Sequence, residues 1–157
     1  MTLRAETKQA IRSAAHHHGG AKAAMLEALK LVQAAEGWVS DAHLAEAAAT
    51  LGVTTAEIDS LATFYSHIFR SPVGETVILL CDGLSCYLNG ADDVRDAVQK
   101  KLGIRFGETT PDGKFTLLNV CCIGGCDRAP AALLGPDRKL VGPLSADQLD
   151  QLIEGAR

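Results

Sequence analysis

Four of the five cysteines of this 157-residue chain occur as two spaced pairs, and each pair follows a short apolar run. Four residues separate Cys81 from Cys86, three separate Cys122 from Cys126, and residues 87–121 lie between the pairs. Both intervening loops contain glycine, which lets the backbone approach a bound group closely. If the thiols act jointly, the fold must bring two distant loops together.

The pattern around the cysteines predicts a small sheet. The apolar runs 77–80 and 115–120 are typical of buried strands, and both end directly in cysteine. Residues 91–102 predict a helix between them, and the short runs 131–134 and 139–141 predict a hairpin after the second loop. If the first two strands are parallel neighbours, both cysteine loops lie at the carboxyl edge of the sheet, where ligands usually bind.

The first 71 residues predict a bundle of helices joined by short turns. An amphipathic helix is expected over 21–36, where Leu29 and Val32 follow the helical spacing. A second helix is expected over 42–51, with Ser40 as its N-cap.

A third helix of this bundle is predicted from a capping box, in which Thr54 and Glu57 satisfy free backbone amides at its start. We expect it to end near Ser71, because proline disfavours the helical conformation in the residue before it. Its apolar face is predicted to carry Ile58, Leu61 and Phe64.

This order of elements predicts an α+β protein. Residues 1–71 are expected to form an N-terminal helical bundle, and residues 72–157 a thioredoxin-like α/β domain with a four-stranded sheet. The pattern at 145–148 predicts the start of a last helix. Its apolar face would consist of Leu149, Leu152 and Ile153.

Composition excludes several classes of function. The formal net charge of −4 argues against nucleic acid as a partner, because no basic stripe is available to neutralise phosphates. No apolar run approaches the ~20 residues needed to cross a bilayer, and the N-terminus lacks the apolar core of a secretory signal. A cytosolic location is therefore expected, where clustered cysteines more often bind metal or perform redox chemistry than form disulfides.

Several kinds of thiol chemistry are compatible with five cysteines. Burial as small hydrophobic residues does not explain their pairing in loops, and the Cys-x-x-Cys spacing of thioredoxin-type dithiols is absent. A structural zinc site accepts four thiolates, although usually from tighter Cys-x-x-Cys motifs. A [2Fe–2S] cluster also takes four thiolates, two for each iron, which two pairs on two loops would supply.

The complete pattern resembles one family. Its features are Ala62-Thr-Phe-Tyr-Ser-His67, Pro72-Val-Gly74, the pair Cys81 and Cys86, and the segment Cys122-Ile-Gly-Gly-Cys126-Asp-Arg-Ala-Pro130. From about residue 25 onward, the chain resembles the thioredoxin-like [2Fe–2S] subunits of bacterial NADH:quinone oxidoreductase, respiratory complex I, and their mitochondrial counterparts.

The resemblance implies that Cys81, Cys86, Cys122 and Cys126 bind one [2Fe–2S] cluster, and it implies no catalytic residue on this chain. Cys121 is adjacent to the third ligand position, and adjacent residues at a strand end point to opposite sides. Cys122 is preferred as the ligand because it gives the three-residue gap typical of the family.

The resemblance also implies a function: the chain would be an electron-transfer subunit of NADH:quinone oxidoreductase, without a complete active site of its own. The resemblance implies a partner subunit that holds FMN and oxidises NADH, while this chain itself contains no G-x-G-x-x-G motif or P-loop with which to bind NADH. Further partners would be the other iron–sulfur subunits of the peripheral arm. The expected location is peripheral, on the cytoplasmic side of the bacterial inner membrane, without direct membrane insertion.

Two alternatives remain compatible with the sequence. Related subunits occur in NAD-dependent formate dehydrogenases and NAD-reducing hydrogenases, which would keep the chemistry and change the host complex. A zinc-stabilised binding module would have no redox role.

Overall fold

The computed structural model describes residues 2–135, 137–148 and 153. The chain forms two compact units, Met1–Pro72 and Val73–Arg157. No helix in the described ranges is long and apolar enough to cross a membrane.

The first unit consists of helices packed around one apolar core. They are α1 (Ala5–His17), α2 (Met25–Glu36), α3 (Asp41–Leu51) and α4 (Thr55–Phe64). The apolar face of each helix supplies core residues that are essentially inaccessible to solvent, among them Ile11, Leu29, Val32, Leu44 and Ile58. The predicted helical bundle and the burial of Ile58 are thereby confirmed.

The predicted N-caps of α3 and α4 are both present. The Ser40 hydroxyl accepts a hydrogen bond from the backbone N–H of His43, at 3.1 Å. At α4 the Thr54 hydroxyl accepts from the Glu57 N–H at 3.2 Å, and the Glu57 carboxylate accepts from the Thr54 N–H at 3.0 Å. These bonds satisfy amides that have no partner within their own helix, so local residues set where each helix begins.

The predicted end of α4 is wrong. The helix stops at Phe64 instead of near Ser71, and the Phe64 side chain is 78% exposed instead of facing the core. The Gln33 side chain donates to the His67 carbonyl at 3.0 Å and accepts from the Phe69 N–H at 2.6 Å. These contacts from α2 hold the following segment outside the helix, which the local pattern alone could not indicate.

The second unit contains a four-stranded sheet with two helices between its first two strands. The elements are β1 (Thr76–Cys81), α5 (Leu84–Leu88), α6 (Ala91–Leu102), β2 (Phe115–Val120), β3 (Ala132–Leu134) and β4 (Lys139–Val141). The strand order is β2-β1-β3-β4; β1 and β2 are parallel, and the other neighbouring pairs are antiparallel. The α+β class and the four-stranded sheet are confirmed.

The core of the second unit lies between α6 and the sheet. Val94 and Val98 of α6 pack with Ile78, Leu80 and Leu117 of the two parallel strands. Five of the six residues of β1 and four of the six residues of β2 are buried, which agrees with the near-continuous apolar runs expected of parallel strands.

Two parts of the second unit differ from the predicted secondary structure. The short helix α5 lies where the sequence predicts a loop, and it begins three residues after Cys81. At the C-terminal end, Ala146–Gln148 form a single 3₁₀ turn, and Ile153 is buried. The predicted positions of Leu149 and Leu152 on a last helix lie outside the described residues.

Candidate metal centre

The two cysteine loops begin at the same edge of the sheet. In the parallel ladder Cys81 is opposite Val120, so both strands end at one level. The Asp82 N–H donates to the Val120 carbonyl at 2.9 Å, and the Asn119 amide donates to the Asp82 carboxylate at 3.3 Å. These bonds join the first loop to the end of β2, as expected from the parallel arrangement.

The first pair, Cys81 and Cys86, is buried, with 2% of each residue exposed. Cys86 reaches the interior because α5 turns the chain back toward the end of β1. Burial raises the pKa of the Cys86 thiol, and a hydrogen bond with Cys81 raises it further, while a backbone hydrogen bond from Ala131 opposes the shift. The Gly83 N–H also donates to the Cys81 sulfur, at 3.4 Å.

The second pair is exposed to solvent. The sulfurs of Cys122 and Cys126 lie 3.6 Å apart. Two thiolates bound tetrahedrally to one metal, with metal–sulfur bonds of about 2.3 Å, would have their sulfurs about 3.8 Å apart. A hydrogen bond from the Gly124 backbone lowers the pKa of the Cys122 thiol, and a hydrogen bond with Cys126 adds to this shift. The geometry and the easier deprotonation both suit two ligands of one metal.

The two cysteine loops lie against each other. A hydrogen bond with Cys81 also contributes to the lowered pKa of Cys122, and the charge of Cys126 contributes to the raised pKa of Cys86. A Cβ atom placed on Gly83 would lie 3.1 Å from Cys122 Cβ and 3.4 Å from the Cys81 sulfur. The absence of a side chain at Gly83 therefore lets the first loop lie directly against the second.

The donor set fits an iron–sulfur cluster. It consists of soft sulfur ligands in two pairs, with backbone N–H groups from Gly83, Gly124 and Ala131 directed at the sulfurs. Such hydrogen bonds offset the negative charge of a thiolate-bound cluster. Over the described part of the chain, no three or more His, Cys, Asp or Glu side chains are placed to hold one ion together. The division of the four thiols into two pairs suits the two irons of a [2Fe–2S] cluster, each of which takes two thiolates.

Sequence reasoning named the four sulfurs and the glycines of both loops, but it missed Ala131. This residue reaches the site because β3 lies beside β1, with the Cys81 N–H bonded to the Ala131 carbonyl at 3.1 Å. No local pattern marks it, since its role depends on strand pairing. The fifth thiol, Cys121, is exposed next to Cys122.

Comparison with known proteins identifies relatives that match nearly the whole chain. The E subunit of the NADH-quinone oxidoreductase of Pseudomonas aeruginosa is 43% identical over 147 residues, which are 94% of this chain and 87% of that protein. The Escherichia coli protein of the same name is 41% identical over 152 residues, covering 97% and 90% of the two chains.

A crystal structure of an NAD⁺-reducing [NiFe]-hydrogenase superposes with a TM-score of 0.67 and 26% identity, covering 82% of this chain. This chain spans only 22% of the hydrogenase chain it matches. The family model for the thioredoxin-like [2Fe–2S] ferredoxin matches residues 11–157. With that match, the two curated relatives and the paired sulfurs at the sheet edge, the chain belongs to the thioredoxin-like [2Fe–2S] ferredoxin family.

Proposed function

We propose that Cys81, Cys86, Cys122 and Cys126 hold one [2Fe–2S] cluster, and that the chain is the electron-transfer subunit of an NADH:quinone oxidoreductase. The observation that carries this proposal is the contact, at one edge of the sheet, between the loop with the buried sulfur pair and the loop with the exposed pair. Family membership and the relatives from NADH-quinone oxidoreductases support the same function.

The residues of this chain have distinct roles in that function. A bound [2Fe–2S] cluster supplies a centre that accepts and returns single electrons. Cys81 and Cys86 anchor the site in the interior, whereas Cys122 and Cys126 form its solvent-facing side. The N–H groups of Gly83 and neighbouring residues stabilise negative charge on the sulfurs and thereby favour the reduced state. Catalysis of NADH oxidation is assigned to a different subunit.

The proposed partner is the subunit that binds FMN and oxidises NADH. On α5, directly beside Cys86, the side chains of Leu84, Tyr87 and Leu88 are 72%, 58% and 72% exposed. Large apolar side chains grouped on a surface mark a contact site for another protein. The other partners would be further iron–sulfur subunits of the peripheral arm, with the whole assembly on the cytoplasmic face of the inner membrane.

Residues 1–71 are proposed to be a separate domain that holds the flavin-bearing subunit. Phe64 and Tyr65 support this role, because both are exposed and their rings stack edge-to-face with centroids 5.0 Å apart. Exposed aromatic residues are frequent anchors of protein interfaces. Removing residues 1–71 should abolish copurification with the flavin subunit. A truncated chain that still retained this subunit would refute the assignment of the domain.

A host other than complex I is the second candidate, because the hydrogenase structure shares the fold and 26% identity. The higher identity to the NADH-quinone oxidoreductase subunits, 41–43% over nearly the whole chain, favours the respiratory enzyme. Native mass spectrometry of the intact complex distinguishes the two. Membrane subunits would indicate complex I, whereas a nickel or molybdenum subunit would indicate a hydrogenase or a formate dehydrogenase.

The chemistry is tested by measuring iron, acid-labile sulfide and zinc in the purified chain. The proposal expects two irons and two sulfides for each chain and a red-brown colour. A colourless protein with one zinc and no sulfide would overturn it in favour of a structural binding module.

A further inference from the structure

A segment without any cysteine lies across the second cysteine loop. This segment, here called the strap, consists of residues 139–144, which are β4 and the three residues that follow it. A Cβ placed on the buried Gly125 would lie 2.9 and 3.2 Å from the two methyl carbons of Leu140. Leu140 therefore packs directly on the residue that precedes the last ligand position, Cys126.

Gly142 and Leu144 of the strap contact the residues that follow Cys126 in the same loop. A Cβ on Gly142 would overlap the carbonyl oxygen of Arg128 and lie 3.1 Å from that of Pro130. Two residues further on, the Leu144 N–H donates to the Pro130 carbonyl at 2.8 Å. Alternate strap residues thus meet successive parts of the loop, as expected for an extended segment whose side chains alternate.

Leu140 also reaches the buried half of the site. Its partly exposed side chain packs against a small cluster of buried residues, namely Cys81, Cys86, Ala91 and Ala131. A single side chain therefore lies against both the cluster that contains the buried sulfur pair and the loop that carries the exposed pair. Shortening this side chain to alanine would open a space between this cluster and the second cysteine loop, which water can enter.

We propose that Leu140 is a positioning residue, which holds the second cysteine loop in place and keeps water away from the buried sulfurs. This inference rests on the ligand set of the proposed function. The strand β4 supplies no ligand, but through Leu140 it would influence the properties of the sulfur site by packing and by exclusion of solvent.

The first test uses the full-length chain without cluster and measures how fast iodoacetamide labels its cysteines. Trypsin separates the two groups of thiols, because the peptide 71–95 contains Cys81 and Cys86 and the peptide 115–128 contains the other three. In Leu140→Ala, iodoacetamide should label the peptide 71–95 roughly tenfold faster. Deletion of part of the leucine leaves a cavity, which lowers the free energy needed to expose the buried thiols by local opening.

Two further variants separate positioning from general destabilisation. Leu134→Ala is the matched control, because this partly buried leucine lies on β3 and packs against the other apolar cluster. It should leave labelling of the peptide 71–95 unchanged. Leu140→Met, which conserves volume, should restore the original rate. Equal labelling of Leu140→Ala and the unmodified chain, or equal acceleration by Leu134→Ala, would overturn the proposal.

The second test measures the midpoint potential of the loaded full-length chain by redox titration. Electron uptake adds negative charge to the site, and water admitted by Leu140→Ala would stabilise that charge. The potential should therefore move to less negative values in Leu140→Ala but not in Leu134→Ala; an unchanged potential contradicts the proposed exclusion of water. The labelling test needs no cluster, so it can fail or succeed independently of the proposed function. Failure of the proposed function would instead appear as the absence of iron and sulfide from the unmodified chain.

Discussion

Replacing Gly83 by alanine tests whether the two cysteine loops touch. The backbone of Gly83 has φ −65° and ψ 155°, a conformation that alanine adopts without strain. The nearest obstacle to the new methyl group is the second loop, where it would lie 3.1 Å from Cys122 Cβ and 3.3 Å from Cys122 Cα. The substitution therefore isolates the packing between the loops from any effect on backbone conformation.

The structure predicts the sign of the effect on stability. Replacing glycine by alanine at an unstrained position stabilises a protein by about 0.4–1 kcal/mol, because the unfolded chain loses conformational freedom. Adding a methyl group to a packed contact typically costs about 1–3 kcal/mol. We expect a net loss of about 0.5–2 kcal/mol in the free energy of unfolding of the second unit, together with lower iron content.

The assay is native-state hydrogen exchange of the β1 and β2 amides in the cluster-free chain, which reports the stability of the second unit alone. Iron and sulfide are measured in parallel on the loaded protein. If Gly83→Ala slowed exchange and bound cluster fully, the two loops could not lie in contact and the reasoning would be refuted.

Gly124 provides the matched control for this experiment. It has φ +79°, and a Cβ at this position would meet no atom of the described residues within 4 Å. Gly124→Ala should therefore cost about 1–2 kcal/mol through backbone strain alone. Gly124→Asn should recover part of this loss, because asparagine tolerates the left-handed conformation. Gly83→Asn should give no such recovery, because at that position the new side chain meets Cys122 whatever its backbone preference.

Three further predictions concern the ligand choice and the helical unit. Cys122→Ser should remove the visible absorbance and the EPR signal, whereas Cys121→Ser should leave both intact; the reverse result would show that the ligand register is wrong. Thr54→Ala should destabilise the first unit by about 1 kcal/mol in urea unfolding, through loss of the N-cap. Hydrogen bonds from Lys22 and then Thr54 lower the pKa of Glu57 from 4.5 to about 2. The stability that the ionised Glu57 carboxylate gives the first unit should be complete above pH 4.5 and disappear as the pH falls toward 2. The melting temperatures of Glu57→Gln and the unmodified chain should therefore converge toward pH 2.

Local sequence signals accounted for the parts of the fold that depend on short-range chemistry. The capping box of Thr54 and Glu57 marked the start of α4, because both of its hydrogen bonds join residues three positions apart. The apolar runs before the cysteines predicted β1 and β2, since buried parallel strands need apolar side chains on both faces.

Long-range contacts decided the parts that were predicted wrongly or missed. The early end of α4 depends on the Gln33 side chain, which is 34 and 36 residues away from the carbonyl and amide it bonds. The helix α5 is only five residues long, too short to be recognised by helical periodicity. The hydrogen bond from Ala131 to Cys86 depends on pairing between β1 and β3.

The sequence by itself determined the donor chemistry of this protein, because two pairs of closely spaced cysteines define which ligands are available and how they divide. It also determined the main elements, through apolar periodicity and end caps. Only the tertiary structure decided which sulfur pair is buried, how closely Gly83 lets the loops approach, and that Leu140 packs between Gly125 and the cluster of the buried sulfur pair. These properties arise from contacts between segments distant in the chain, and no local pattern of residues encodes such distances.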